Sequence, residues 1–207
     1  MQRIFLHGLG QTSASWEQTI RALPLQEQIH CPDLPGLLRG QEVFYETLYR
    51  SFCEYCSSFS EPLDLCGLSL GGILALHYSI EHPQRMHSLV LIGAQYQMPK
   101  RLLALQNVLF RFMPNSMFQQ MGFQKSGFIR LSTSMSKLDF SADLMSVPCP
   151  VLVLCGEKDH ANKAASVQLA QRLPRAELQI IQGAGHEVNV SAPQSLATLL
   201  YTFYQTL

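Results

Sequence analysis

The chain has 207 residues and a mass of 23.3 kDa, with 47% hydrophobic and only 14% charged residues. That length makes one domain with room for an insertion, and it buries roughly 70% of the surface its unfolded form exposes, so neither disulfide nor metal is needed to hold it. Fifteen basic residues balance fifteen acidic ones, which argues against a nucleic-acid binder, and the apolar content argues against disorder.

No segment reaches the roughly 18 consecutive apolar residues of a membrane span. The amino-terminal MQRIFLHGLGQ has too short an apolar run for a signal peptide, so a cytoplasmic protein is expected. The cysteines fit that compartment. Cys31, Cys66, Cys149 and Cys155 lie in or beside predicted strands, where small buried thiols are usual. Cys53 and Cys56 form a C-x-x-C inside a helical stretch, with no second Cys or His pair beside them. A metal or redox site is therefore not expected, and no cofactor is implied.

In chain order, strands are predicted at 3–6, 28–31, 63–67, 88–92, 151–155 and 177–181. The runs at 88–92 and 151–155 are nearly all apolar, as strands covered on both faces must be. Helices are predicted at about 12–23, 41–58, 70–81, 162–172 and 193–206, with Pro83 closing the third and Pro193 in the first turn of the last. This alternation implies an α/β fold with a doubly wound, mostly parallel sheet of about six strands. Between Ile92 and Val151 the rhythm breaks for far longer than an ordinary connection. Residues 94–147 are expected to form a helical cap of two or three helices separated by Pro114 and Gly127, over a core made of 1–93 and 148–207.

Gly67-Leu68-Ser69-Leu70-Gly71-Gly72 follows a predicted strand and opens a predicted helix. The G-x-S-x-G spacing is weak alone, and a glycine-rich strand–helix turn is the plainer reading. The context favours a nucleophile: a sharp turn here lifts the Ser69 hydroxyl above the carboxyl edge of the sheet, and the helix start offers the Leu70 N–H to an oxyanion. A serine hydroxyl needs a base. Of seven histidines, His186 in Gly183-Ala184-Gly185-His186 follows the last strand and can return over that edge. His30, His77, His82 and His87 fall elsewhere, and His160 is the main rival. After the strand at 151–155 the chain reads Gly156-Glu157-Lys158-Asp159. Asp159 is the expected orienting acid, with helix capping as its plainer role and Glu157 in reserve. Early in the chain, His7-Gly8-Leu9-Gly10 follows the first strand, where the Leu9 N–H makes a second oxyanion donor. In that loop His7 reads as a buried hydrogen-bonding residue.

Together HGLG (7–10), DLPG (33–36), GLSLGG (67–72), GEKD (156–159) and GAGH (183–186) resemble the α/β-hydrolase superfamily over nearly the whole chain. The resemblance implies Ser69 as nucleophile, Asp159 as acid, His186 as base, Leu9 and Leu70 as oxyanion donors and 94–147 as the cap. It gives Asp33 a structural role. The family's sheet normally begins with an antiparallel hairpin. Here the HG strand starts almost at Met1, so a truncated, all-parallel sheet is expected. A serine at 69 is unlike the aspartate nucleophile of haloalkane dehalogenases. The small menaquinone-pathway lyases of this fold share DLPG and the SLGG elbow, but tend to carry a basic residue where this chain has Ile73.

From Ala94 to Leu138 there are six basic residues (Lys100, Arg101, Arg111, Lys125, Arg130, Lys137) and no acidic one. A solvated basic face accounts for them, as does attraction of an anionic substrate or an acidic partner. Leu102, Leu105, Leu109, Phe110, Phe112 and Met113 recur at helical spacing, and Leu105, Leu109 and Phe112 are expected to line an acyl pocket. The expected activity is hydrolysis of a small ester or thioester, its apolar acyl group carrying an anionic portion, through an acyl-serine. A lyase of the same fold and a non-catalytic binding protein are the alternatives. Oligomeric state is not legible.

Overall fold

The computed structural model describes residues 1–24 and 29–207, with 101 and 102 only as part of a helix. Six parallel strands form one sheet: β1 (Gln2–Leu6), β2 (Ile29–His30), β3 (Leu63–Leu68), β4 (Met86–Ile92), β5 (Val151–Gly156) and β6 (Ala176–Ile181), in the order β2-β1-β3-β4-β5-β6. The predicted start of β2 at Gln28 lies outside the described residues. The chain runs outward from β1 to β2 and then returns to β3 on the other side of β1. The crevice at the carboxyl ends of β1 and β3 is therefore the switch point, where open α/β sheets place their ligands.

The helices are α1 (Glu17–Ala22), α2 (Leu34–Leu37), α3 (Tyr45–Ser57), α4 (Leu70–Glu81), α5 (Lys100–Phe112), α6 (Asn115–Gln120), α7 (Lys125–Met135), α8 (Lys163–Arg172), α9 (Val188–Ser191) and α10 (Pro193–Gln205). The helix expected over 12–23 divides into a 3₁₀ turn at Ser13–Trp16 and the short α1. Successive strand residues point to opposite faces, so each strand feeds two cores. Phe5, Cys66, Val90 and Leu152 pack with Trp16 and with Leu196, Leu200 and Phe203 of α10. Ile4, Leu65, Leu91 and Val153 pack with α3, α4 and α8 on the other side.

Packing of α4 sets the turn that carries Ser69. A Cβ on Gly67 would collide with the Gly71 backbone, and one on Gly71 with the Leu6 carbonyl. Both glycines are thus required by close approach of α4 to β3 and β1. The inserted helices α5, α6 and α7 share the second core through Phe118, Phe123, Phe128 and Leu131. Pro114 separates α5 from α6 as expected. Gly127 does not separate helices: it lies inside α7, against the Val43 side chain, and the break before α7 falls at Gly122, whose φ is +76°. A glycine ends a helix where the backbone turns left-handed, and Gly127 is kept small by packing instead.

Candidate active site

Ser69 sits between the end of β3 and the start of α4 with φ +52° and ψ −113°, one of two described non-glycine residues at positive φ. Its N–H donates to the Ile92 carbonyl at 2.8 Å, and its own carbonyl accepts from the Ile73 N–H at 2.9 Å. The strained serine is held by the ends of two neighbouring elements, and such strain clusters at functional sites.

His186 follows β6, on the loop leading to α9. Its Nδ1–H donates to Asp159 Oδ2 at 2.6 Å, a short charge-assisted bond. Asp159 is 6% exposed, just after β5. Burial alone would raise its carboxyl pKa, but the His186 hydrogen bond and charge and the Asn162 amide bonds outweigh it and hold the carboxyl below its usual value. Glu157 does different work: Oε2 accepts the Gly183 N–H at 2.8 Å and ties down the loop that carries His186. His160 is exposed. The acid in contact with His186 is Asp159.

Asn162 was not legible in advance. Its Nδ2 donates to both carboxylate oxygens of Asp159, at 2.8 and 2.9 Å, and its Oδ1 accepts from Gln95 Nε2 at 2.8 Å. Gln95 follows β4, and Asn162 shares the β5–α8 loop with Asp159, so the amide chain ties the carboxyl end of β4 to the loop that carries the acid. Gly93 completes the packing. With φ +53° it ends β4, and a Cβ there would stand 3.0 Å from His186 Nδ1 and 3.1 Å from Asp159 Oδ2.

The HGLG loop is fixed from below. His7 is buried, its Nε2 accepting the Leu34 N–H at 3.0 Å while Nδ1 faces the Gly8 carbonyl at 2.9 Å. Burial pushes its pKa down, against the Gly8 bond and the Asp33 charge, so the neutral ring is a structural link to the DLPG turn. Asp33 Oδ1 accepts the Ser13 N–H at 3.3 Å. Gln11 accepts the Gly8 N–H and pairs with the buried Asn189 through both amide groups, at 3.2 Å each, which joins this loop to the segment after His186.

These parts meet in a cavity of about 460 Å³. Leu9, Ser69, Leu70, Asp159 and His186 line its floor, and Phe110, Phe118, Phe128 and Met135 of the inserted helices line its roof. Leu105, Leu109 and Phe112 do not line it. They stand on the outer face of α5, each more than half exposed, and α5 contributes Leu103, Gln106 and Phe110 instead, with Met113 just past its end. The expected register was wrong because α5 is apolar on two faces, and spacing cannot tell which one turns inward. No lysine or arginine is among the described residues lining the cavity, and the side chains of Arg101 and Leu102 lie outside the described residues. The cysteines are elsewhere: Cys66, Cys149 and Cys155 are buried, and burial pushes the half-buried Cys31 thiol up to about 12. Among the described residues no cluster could hold a metal ion.

A family model described as "Alpha/beta hydrolase family" matches residues 4–199. The chain belongs to that family. Among the proteins this hydrolase is similar to is the pimeloyl-[acyl-carrier protein] methyl ester esterase of Aeromonas hydrophila, 25% identical over 97% of this chain and 94% of the relative. It is 21% identical to the monoacylglycerol lipase ABHD6 of Homo sapiens, over 97% of this chain and 74% of that one. A thermophilic esterase from Thermogutta terrifontis shares the fold with a TM-score of 0.81 and 20% identity, across 100% of this chain and 90% of that one. The hydrolase is of the esterase type. Among the described residues no helix is long and apolar enough to cross a membrane.

Proposed function

We propose that the protein hydrolyses a carboxylic ester with an apolar acyl group through an acyl-Ser69 intermediate. The observation that carries this reading is one apolar cavity into which Ser69, at a strained strand–helix turn, and a 2.6 Å His186–Asp159 pair both open. Ser69 Oγ attacks the ester carbonyl carbon while His186 Nε2 takes the hydroxyl proton. The N–H groups of Leu9 and Leu70 hold the oxyanion, each such donor being worth ~3–4 kcal/mol in the transition state. Asp159 keeps the His186 proton on Nδ1 and stabilises the imidazolium. Collapse expels the alcohol, which leaves with the proton from His186. Water then repeats the sequence on the acyl-serine, releasing the acid and restoring Ser69. Residues 94–147 act as the cap that encloses the acyl chain and excludes water.

Both named relatives act on esters of acyl chains, which suits an apolar roof of phenylalanine and methionine. The anionic portion expected of the substrate has no cation awaiting it among the described lining residues, and the same point counts against a lyase acting on an anion. A purely binding role leaves the strain at Ser69 and the His186–Asp159 pair without a use. Fluorophosphonate labelling followed by a p-nitrophenyl ester series of rising chain length tests the proposal. Wild type is expected to label, Ser69→Ala to fold without labelling, and His186→Ala to lose at least ~10²-fold in turnover. A folded wild-type protein that neither labels nor cleaves any ester of the series would overturn it.

A further inference from the structure

Helix α5 has two apolar faces and uses only one of them on the protein itself. At about 100° per residue, Leu103, Gln106, Phe110 and Met113 fall on one side, and they line the cavity. Leu105, Val108, Leu109 and Phe112 fall within an arc of about 100° on another side. They are exposed to 57%, 49%, 56% and 84% of their surface. Soluble surfaces carry single exposed apolar residues without consequence, but four in one stripe over two helical turns mark an interaction face. Met117 of α6 is also exposed.

The segment that carries the stripe is positive along its length, with Asp139 beside Lys100 as the nearest carboxylate after it. Residues 94–138 hold six of the chain's fifteen cations and none of its fifteen acids, so the rest of the molecule is net negative. Lys100 and Arg111 lie together on one side of the apolar stripe on α5 and are exposed. At Arg111 a groove of about 560 Å³ opens between α5, α6 and α7, lined also by Lys125, Asn115, Gln119 and Gln124. Lys125 Nζ donates to the Arg111 and Met113 carbonyls at 2.6 and 2.8 Å, which fixes a positive charge at that groove while it ends α5.

We infer that the outer face of α5 seats the protein on an anionic phospholipid surface. Leu105, Val108, Leu109 and Phe112 enter the acyl boundary, and Arg111, Lys125 and Lys100 meet the headgroups. An apolar stripe flanked by lysine and arginine is the pattern of a helix lying in a membrane interface. A second copy of this chain is disfavoured as occupant, because a two-fold contact would set like cations against each other. An acidic protein would answer the cations, yet it would leave a stripe this apolar to be matched by chance. The same helix would then touch lipid on one side and the catalytic cavity on the other, placing the enzyme where esters of long acyl chains are concentrated.

The test is vesicle co-sedimentation of the full chain carrying Ser69→Ala, so that binding is read without hydrolysis and stands apart from the proposed reaction. Binding is expected to vesicles of phosphatidylglycerol mixed with phosphatidylcholine, with at least tenfold weaker binding to phosphatidylcholine alone and a decline as salt rises. Leu109→Ser combined with Phe112→Ser should lower the partition to anionic vesicles at least tenfold with an unchanged melting temperature, and Arg111→Gln should lower it severalfold. Absence of binding to anionic vesicles overturns the inference, as does equal binding by the double variant. A concentration-dependent dimer abolished by the double variant, with no vesicle binding, would reassign the face to self-association. Capture of an acidic carrier protein in place of vesicles would reassign it to a protein partner.

Discussion

Replacing Ser69 by glycine and by alanine separates the backbone strain at this turn from the chemistry proposed for its hydroxyl. Both variants remove the hydroxyl, so both should lose labelling and turnover alike. They differ in the backbone: alanine keeps a Cβ at φ +52°, ψ −113°, and glycine does not. Angles of this kind hold about 1–3 kcal/mol of strain. Glycine gives back about 0.5–1 kcal/mol through its extra freedom in the unfolded chain. Ser69→Gly is therefore expected to be more stable than Ser69→Ala by about 0.5–2 kcal/mol, or about 2–6 °C in melting temperature for a domain of this size. The angle is enforced from outside, by the Ile92 carbonyl on the Ser69 N–H and by the glycine contacts that seat α4 on β1 and β3. Parallel thermal melts followed by circular dichroism decide the matter. A glycine variant that melts at or below the alanine variant would refute the idea that the fold stores strain at this turn.

Asn162→Leu removes both amide bonds to Asp159; hydrogen bonds to a charged group are worth about 1.5–3 kcal/mol, so half of one realised in the transition state lowers kcat roughly 3–12-fold. KM for a short ester should stay put, and Asn162→Ser should recover part of the loss; an unchanged kcat removes Asn162 from any positioning role. The same variant alters acid stability. Asp159 sits below its usual pKa in the folded protein, so its contribution is full above the unfolded value of about 3.9 and vanishes as pH falls through the lower folded value. Losing the Asn162 donors raises the folded pKa, shrinks that contribution, and moves acid unfolding of Asn162→Leu to higher pH in a circular dichroism titration. Gly93→Ala places a methyl group against His186 and Asp159 at a left-handed backbone position. It should cost about 1–2 kcal/mol in stability and lower kcat about 10–100-fold by displacing the pair, read by denaturant melts and ester turnover; full activity would show that the pair has room to move.

Much of the core was legible because its residues obey a single requirement. Strands β4 and β5 are covered on both faces, so the runs 88–92 and 151–155 are nearly all apolar. The end of helix α4 was legible because Pro83 acts locally. The short elements were harder. Strand β2, expected at 28–31, is found at Ile29–His30 in its described part, but α2 and α9, four residues each, were not foreseen; their positions come from tertiary bonds, such as His7 to Leu34 or Asn189 to Gln11, that no local periodicity announces. Asn162 was missed for the same reason. An asparagine before a helix looks like a cap, and only the fold brings it between Gln95 and Asp159.

The inserted helices exposed a different limit. Hydrophobic spacing identifies a helix and its apolar residues, and it implicitly assumes that one apolar face means one buried face. In α5 that assumption fails: Leu105, Leu109 and Phe112 obey the spacing as well as Leu103, Phe110 and Met113 do, yet only the second set turns toward Ser69. Stability of the fold can account for the inner set, which roofs the cavity and packs on Phe118 and Phe128. It cannot account for the outer set, because an exposed Phe112 gains nothing from the protein that carries it. A helix that is apolar beyond what its own domain buries is the observation on which the proposed lipid contact rests, and the excess of positive charge from 94 to 138 is what makes an anionic surface its expected partner.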